Sequence, residues 1–84
     1  MNAIAIEAIG WAGSFTILAG YALLSSGRLA AGSTAYQLVN IFGALGMAIN
    51  SLYHWALPSV CNNLIWAGIG GVALVGILRR PARG

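Results

Sequence analysis

Between Ile4 and Leu78 this chain carries only two charged side chains, Glu7 and Arg28. About a quarter of the residues of an average soluble domain are Asp, Glu, Lys or Arg; here the share is 6%, against 60% hydrophobic. So few charges cannot cover the surface of a water-soluble fold, and the chain reads as an all-α integral membrane protein. A hydrocarbon core of ~30 Å takes about 20 helical residues per crossing. Three crossings with short connections use almost all of the 84 residues, so a single transmembrane domain over 1–84 is expected, with no separate soluble domain.

The first apolar run extends over 4–25 and ends in "SSGRLAAGS", whose serines and glycines break a helix. The second occupies 34–53, with Ser33 or Thr34 as its N-cap. The third occupies 58–78, with Pro58 in the first turn, where a missing N–H is no loss. Residues 79–84, "RRPARG", form the tail. The first run lacks the basic leader of a signal peptide and exceeds the usual ~7–15 apolar residues, so it is read as a retained helix.

Arg28, Arg79, Arg80 and Arg83 all fall on the side shared by the first loop and the tail, whereas Glu7 and His54 fall on the other. The positive-inside rule then sets the N-terminus outside and the C-terminus in the cytoplasm of a multi-pass protein. The same four arginines account for the pI of about 9.8. They flank apolar runs and are not interleaved with aromatics, which argues against nucleic acid as a partner. Trp11, Tyr53 and Trp55 sit where interfacial aromatics belong, while Trp66 lies deeper and is expected to pack against helices. Cys61 has no second cysteine to pair with and no His/Cys cluster around it. No metal, no cofactor and no enzymatic activity are expected: there is no nucleophile with a base in helical reach and no paired carboxylates.

The second span divides into two stripes. Leu38, Phe42, Leu45, Ile49 and Leu52 form an apolar one suited to lipid. Tyr36, Asn40, Gly43, Met47, Asn50 and His54 form a polar, small-residue one, the kind that faces other helices in a membrane. Span 1 offers Ala8, Ala12, Thr16 and Gly20 as a small-residue ridge with Tyr21 beside it. Span 3 offers Asn63, Ala67, Gly70 and Gly71. These faces are expected to meet in one bundle through Gly20, Gly43, Gly70 and Gly71. Their polar content exceeds what one three-helix unit can bury, so a homodimer is expected. Gln37, Asn40 and Asn62 read as interhelical glue, and Asn50 and Asn63 as candidates to line a shared cavity.

Three short segments, "AAGSTAYQL", "SLYHWALPSV" and "LPSVCNNL", resemble the SemiSWEET or PQ-loop superfamily of small three-helix bacterial membrane proteins. The likeness covers nearly the whole chain. It is closer still to an uncharacterised subgroup with "IGWAG", "YQLVNIFGALG" and "LYH…PSV" segments, which is also similar to the N-terminal membrane domain of some lipid-A disaccharide synthases. The resemblance implies a dimer of three-helix bundles, each half of a carrier, with a sugar held between them. It implies that Asn63 hydrogen-bonds the solute and that Asn50 stands where the family has a stacking aromatic. The Pro-Gln pair of the family is missing near Ala19 and Gly20.

Two functions from different classes follow. One is a SemiSWEET-like half-transporter for a small neutral solute such as a sugar, with Asn63 and Asn50 as hydrogen-bonding groups and Tyr53, Tyr21 and Met47 as walls or gates. The other is a non-transporting accessory or scaffold subunit that binds a larger membrane-protein partner. Lipid or lipid-precursor handling is a third.

Overall fold

The computed structural model describes residues 2–80; Arg83 and the rest of the tail beyond Arg80 lie outside them. Among the described residues the chain is all helical, with α1 over Ala3–Ser25, α2 over Thr34–Tyr53 and α3 over Leu57–Leu78. Each boundary falls within a residue of the sequence-based expectation. Two of the helices, α1 and α3, are long and apolar enough to cross a membrane. The middle helix has 20 residues, about 30 Å at 1.5 Å per residue, but carries Gln37, Asn40 and Asn50.

Local chemistry sets the ends. The Asn2 side chain accepts from the Ala5 N–H at 2.8 Å, and Ser33 accepts from the Tyr36 N–H at 3.2 Å, the N-cap bond that relieves a helix start of an orphan donor. Pro58 lies in the first turn of α3, as anticipated. Both helix ends at the turns use the same device. The Gly27 and Arg28 N–H groups donate to the Leu24 and Leu23 carbonyls, and those of Trp55 and Ala56 donate to Leu52 and Ser51. This is the Schellman pattern, which needs a left-handed residue just past the helix. Gly27 supplies it with φ 80° and Trp55 with φ 56°, the latter against the Cβ penalty.

The α1 helix packs antiparallel against α2, and α2 against α3, while no Cα of α1 lies within 8 Å of one in α3. The three small-residue faces therefore do not converge on one interior, contrary to expectation; α2 is a central helix with a partner on each flank. Its α1-facing residues include Val39, Gly43, Gly46 and Asn50, and its α3-facing residues Gln37, Ile41 and Ser51. At 3.6 residues per turn the two sets are centred roughly 140° apart around the α2 axis.

The α1–α2 seam is made of glycine. A Cβ on Gly13 would stand 2.7 Å from the Gly43 carbonyl oxygen, and one on Gly43 would stand 2.6 Å from Ile17 Cγ1. The α1 ridge is Ile6, Gly10, Gly13, Ile17 and Gly20, not Ala8, Ala12, Thr16 and Gly20. Of the expected set, Ala8 and Ala12 are exposed and only Gly20 is buried. Steps of four alone drift by about 40° each around a helix, whereas alternating steps of four and three hold one face. Gly70 is buried against Ile41, 3.0 Å from a would-be Cβ, but nothing lies within 4 Å of Gly71, which is not a packing residue in this chain.

Two substitutions probe this account. Gly27→Ala is expected to lower stability by about 1 kcal/mol through the left-handed backbone penalty, read as a shifted unfolding midpoint in detergent. Gly43→Val is expected to cost about 1–3 kcal/mol by forcing α1 and α2 apart, while Gly71→Val leaves the midpoint where it is. Equal effects of the two valines would mean that the glycine seam is misassigned.

Candidate functional site

The angle between the two seams gives α2 a convex and a concave side. The convex side carries Leu38, Phe42, Leu45, Ile49 and Leu52, all exposed, from 38% at Leu38 to 67% at Phe42. An apolar groove of about 270 Å³ runs along it, lined by Leu45, Ala48, Ile49, Leu52, Val60 and Leu64. The concave side carries Tyr36, Asn40 and His54 of the polar stripe, whereas its other members, Gly43, Met47 and Asn50, lie against α1; the apolar stripe is a free face and the polar stripe is divided between the concave side and the α1 seam.

Two of the expected site amides lie in those seams. Asn50 Nδ2 donates to the Ile6 carbonyl across the α1–α2 seam at 2.9 Å, and Gly10 leaves the room, since a Cβ there would come within 2.6 Å of Asn50 Cγ. On the other flank Asn63, 6% exposed, donates to the Ser59 carbonyl at 2.9 Å and lies 3.3 Å from its hydroxyl. That hydroxyl is 2.8 Å from the Ser51 hydroxyl on α2, so Ser51, Ser59 and Asn63 form one polar clasp between α2 and α3. The two amides are engaged in different places: Asn50 bonds across the α1–α2 seam, whereas Asn63 bonds to Ser59 of its own helix and reaches α2 only through the Ser59–Ser51 contact. Tyr53 is 45% exposed and rests edge-on against the His54 ring, centroids 5.2 Å apart. Met47 is half-buried beside Gly13. The His54 imidazole reaches the Glu7 carboxylate at 3.9 Å, with both side chains about half exposed. That contact turns the Glu7 side of α1 toward the concave face, and at helical spacing Ser14, Leu18 and Tyr21 share that side.

Toward the first-loop end the concave side deepens into a groove of about 190 Å³ between α2 and α3, lined by Tyr36, Gln37, Asn40, Trp66, Ile69, Gly70 and Ala73. Gln37 Nε2 donates to the Ala31 carbonyl at 2.8 Å and ties α2 to the loop. Asn40 is different. It is 7% exposed, yet makes no hydrogen bond among the described residues, and no side-chain N or O atom sealed from solvent there lacks a partner. Its amide therefore opens into the groove. Asn62 lies on the same side of α3 as Trp66, Ile69 and Ala73 by its spacing of four, three and four. It is exposed and also makes no hydrogen bond among the described residues.

The sequence reading expected Asn40 and Asn62 to be glue and Asn50 and Asn63 to be the site; in the chain the bonded amides are Asn50 and Asn63. The signal that separates them is neighbouring chemistry. A glycine at position 10 and serines at 51 and 59 make room and partners for the seam amides, whereas Asn40 has an aromatic and a bulky apolar residue across from it. Trp66, expected to pack between helices, is half exposed on the groove wall. The charged ends are as expected: a Cβ on Gly32 would meet Arg80 Nη2 at 3.7 Å, so the first loop and the end of α3 lie together. Cys61 is exposed, and no group of three His, Cys, Asp or Glu side chains able to hold a metal occurs among the described residues.

The fold defines a class: an all-α protein of three antiparallel helices in one row, two of them of membrane-crossing length and hydropathy. A family model matches residues 6–81, and the chain belongs to that family, which is uncharacterised. No curated protein and no solved structure matches it.

The seam assignment predicts a coupling. Ser51→Ala and Ser59→Ala, measured singly and together, are expected to show an interaction energy of about 0.6 kcal/mol, the average for interhelical polar contacts in membranes. Strict additivity in reversible unfolding from micelles would remove the clasp.

Proposed function

We propose that the protein is a multi-pass integral membrane protein of the bacterial cytoplasmic membrane, with its N-terminus outside and its first loop and tail inside. It self-associates through its concave faces, and the dimer carries a small neutral solute. Insertion of all three helices is supported by the exposed aliphatic stripe of α2, by the hydropathy of α1 and α3 and by the gathering of Arg28, Arg79 and Arg80 at one end. The observation that carries the reading is the concave face. Asn40 and Asn62 present amides with no protein partner there, and such groups in hydrocarbon cost several kcal/mol each. A second copy, related by a two-fold axis, covers that face and leaves a polar route between the protomers. A neutral solute follows from the route's lining, since no Asp, Glu, Lys, Arg or His occurs between Glu7 and the first loop on α1, or within α2 or α3. No catalytic step is assigned. The resemblance of three segments to SemiSWEET proteins agrees with this reading.

A second reading, a non-transporting accessory subunit, is favoured by one specific observation. Asn50 and Asn63, the residues the resemblance marks for solute, both already donate to backbone carbonyls, Asn50 across the α1–α2 seam and Asn63 within α3. One experiment separates the two. Purified protein is reconstituted into sealed vesicles, its mass is measured in mild detergent, and entry of labelled glucose and glycerol is compared with entry into empty vesicles. A dimer mass and faster entry are the expected results. Entry equal to that of empty vesicles, together with stoichiometric recovery of a foreign membrane protein from native membranes, would replace the carrier with the accessory subunit.

A further inference from the structure

We infer that the groove around Asn40 is the solute-binding site, and that it takes a neutral, hydroxyl-bearing small molecule held by Asn40, Gln37, Tyr36 and Trp66. This deepens the carrier reading and rests on its membrane setting, but it does not require that the solute cross.

Three observations converge on the groove. Asn40 is more than nine-tenths buried and yet unbonded among the described residues, and its amide faces a space of about 190 Å³. Its amide atoms are not sealed from solvent, so water can serve them in the lone chain; in the proposed membrane setting whatever occupies the groove must supply their partner. The second observation is the balance of hydrogen-bonding groups. With Gln37 Nε2 engaged at Ala31, its Oε1 remains as an acceptor and lies 3.5 Å from the position of a Cβ on Gly70. Asn40 adds a donor and an acceptor, the Tyr36 hydroxyl adds both, and the Trp66 indole adds a donor. No charged side chain lines the groove, so an ion would find no counter-charge, whereas hydroxyl groups, which donate and accept together, match the set. The third is size. The groove is smaller than the ~300–1,000 Å³ of ordinary small-molecule pockets and is open on its concave side, the side that the proposed second copy covers. It is therefore a half-site.

Gly70 makes the space. It is buried at the seam, and a Cβ there would press on Ile41 at 3.0 Å, driving α3 off α2 along the groove floor. Asn63 and Asn50 have no such opening, because both amides already donate to backbone carbonyls in the seams.

The test uses the full chain in native membrane vesicles with Cys61→Ser as background. Asn40→Cys is treated with a small, charged, membrane-impermeant methanethiosulfonate applied from the first-loop side, with and without glucose or glycerol. Labelling is expected, and either probe is expected to halve its rate at a concentration equal to that probe's Kd. A folded but unlabelled variant means that the groove is sealed by helix or lipid, and overturns the inference. Labelling that neither probe slows overturns the assignment of a hydroxyl-bearing ligand. A parallel variant, Asn40→Leu, is expected to keep or raise the unfolding midpoint, because the amide has no protein partner to lose, whereas Asn63→Leu lowers it. If Asn40→Leu falls as far as Asn63→Leu, Asn40 is structural and the inference fails. Protection without faster solute entry in sealed vesicles leaves the site standing and rejects only the carrier.

Discussion

The angle at which α2 is gripped governs the rest of this molecule. Were its two partners on adjacent faces, α1 and α3 would touch and the fold would be a closed triangle with one shared interior. With the grips roughly 140° apart, no Cα of α1 lies within 8 Å of one in α3; the aliphatic strip of α2 stays exposed, while the opposite strip is buried at Asn40 and open at His54. One strip is aliphatic and the other holds amides and aromatics. A helix whose two remaining strips differ in chemistry suits a place where two different surroundings meet it. Lipid on the convex side and protein on the concave side satisfy both in the proposed membrane setting.

The two grips are held by different means. Against α1, contact is backbone to backbone: Gly13, Gly43 and Gly46 bring main chains close enough that methyl groups would collide, and one amide, Asn50, adds a bond to a carbonyl. Close approach of this kind gains dispersion over a long contact line and works without water to drive it. Against α3, the second-loop end is held by the Ser51, Ser59 and Asn63 clasp, while the other end rests on Gly70 and Ile41. Each interhelical bond contributes only ~0.6 kcal/mol on average, so the glycine contact line and not the amides is the larger structural term. That difference frees the remaining amides for another purpose.

Much of the architecture was legible before any coordinates. Turn residues and caps marked the helices because "SSGRLAAGS" and Pro58 leave the backbone few alternatives. The aliphatic stripe of α2 was legible from spacing alone because it is a free face, whereas the polar stripe is divided, with Gly43, Met47 and Asn50 against α1. The α1 ridge was misread because an unbroken four-residue repeat was taken as a face when it spirals away from one. The two amides assigned to a cavity were misread for a different reason. Spacing locates a side chain around its own helix, but whether it meets a carbonyl or an opening depends on the neighbour, and Asn50 and Asn63 lie toward the seams by only a fraction of a turn. Recognising Gly10 opposite Asn50, and serines at 51 and 59 near Asn63, would have pointed to the bonded state.

These contacts are unevenly distributed along the α2–α3 pair. Hydrogen bonds that need short distances concentrate at the second-loop end, where α2 and α3 are also joined by the three-residue connection from His54 to Ala56. At the first-loop end the pair has no chain connection and no side-chain bond between the two helices, only apolar contact and the groove. The α2–α3 pair is thus tied by side-chain hydrogen bonds at its second-loop end and by apolar contact alone where the groove lies.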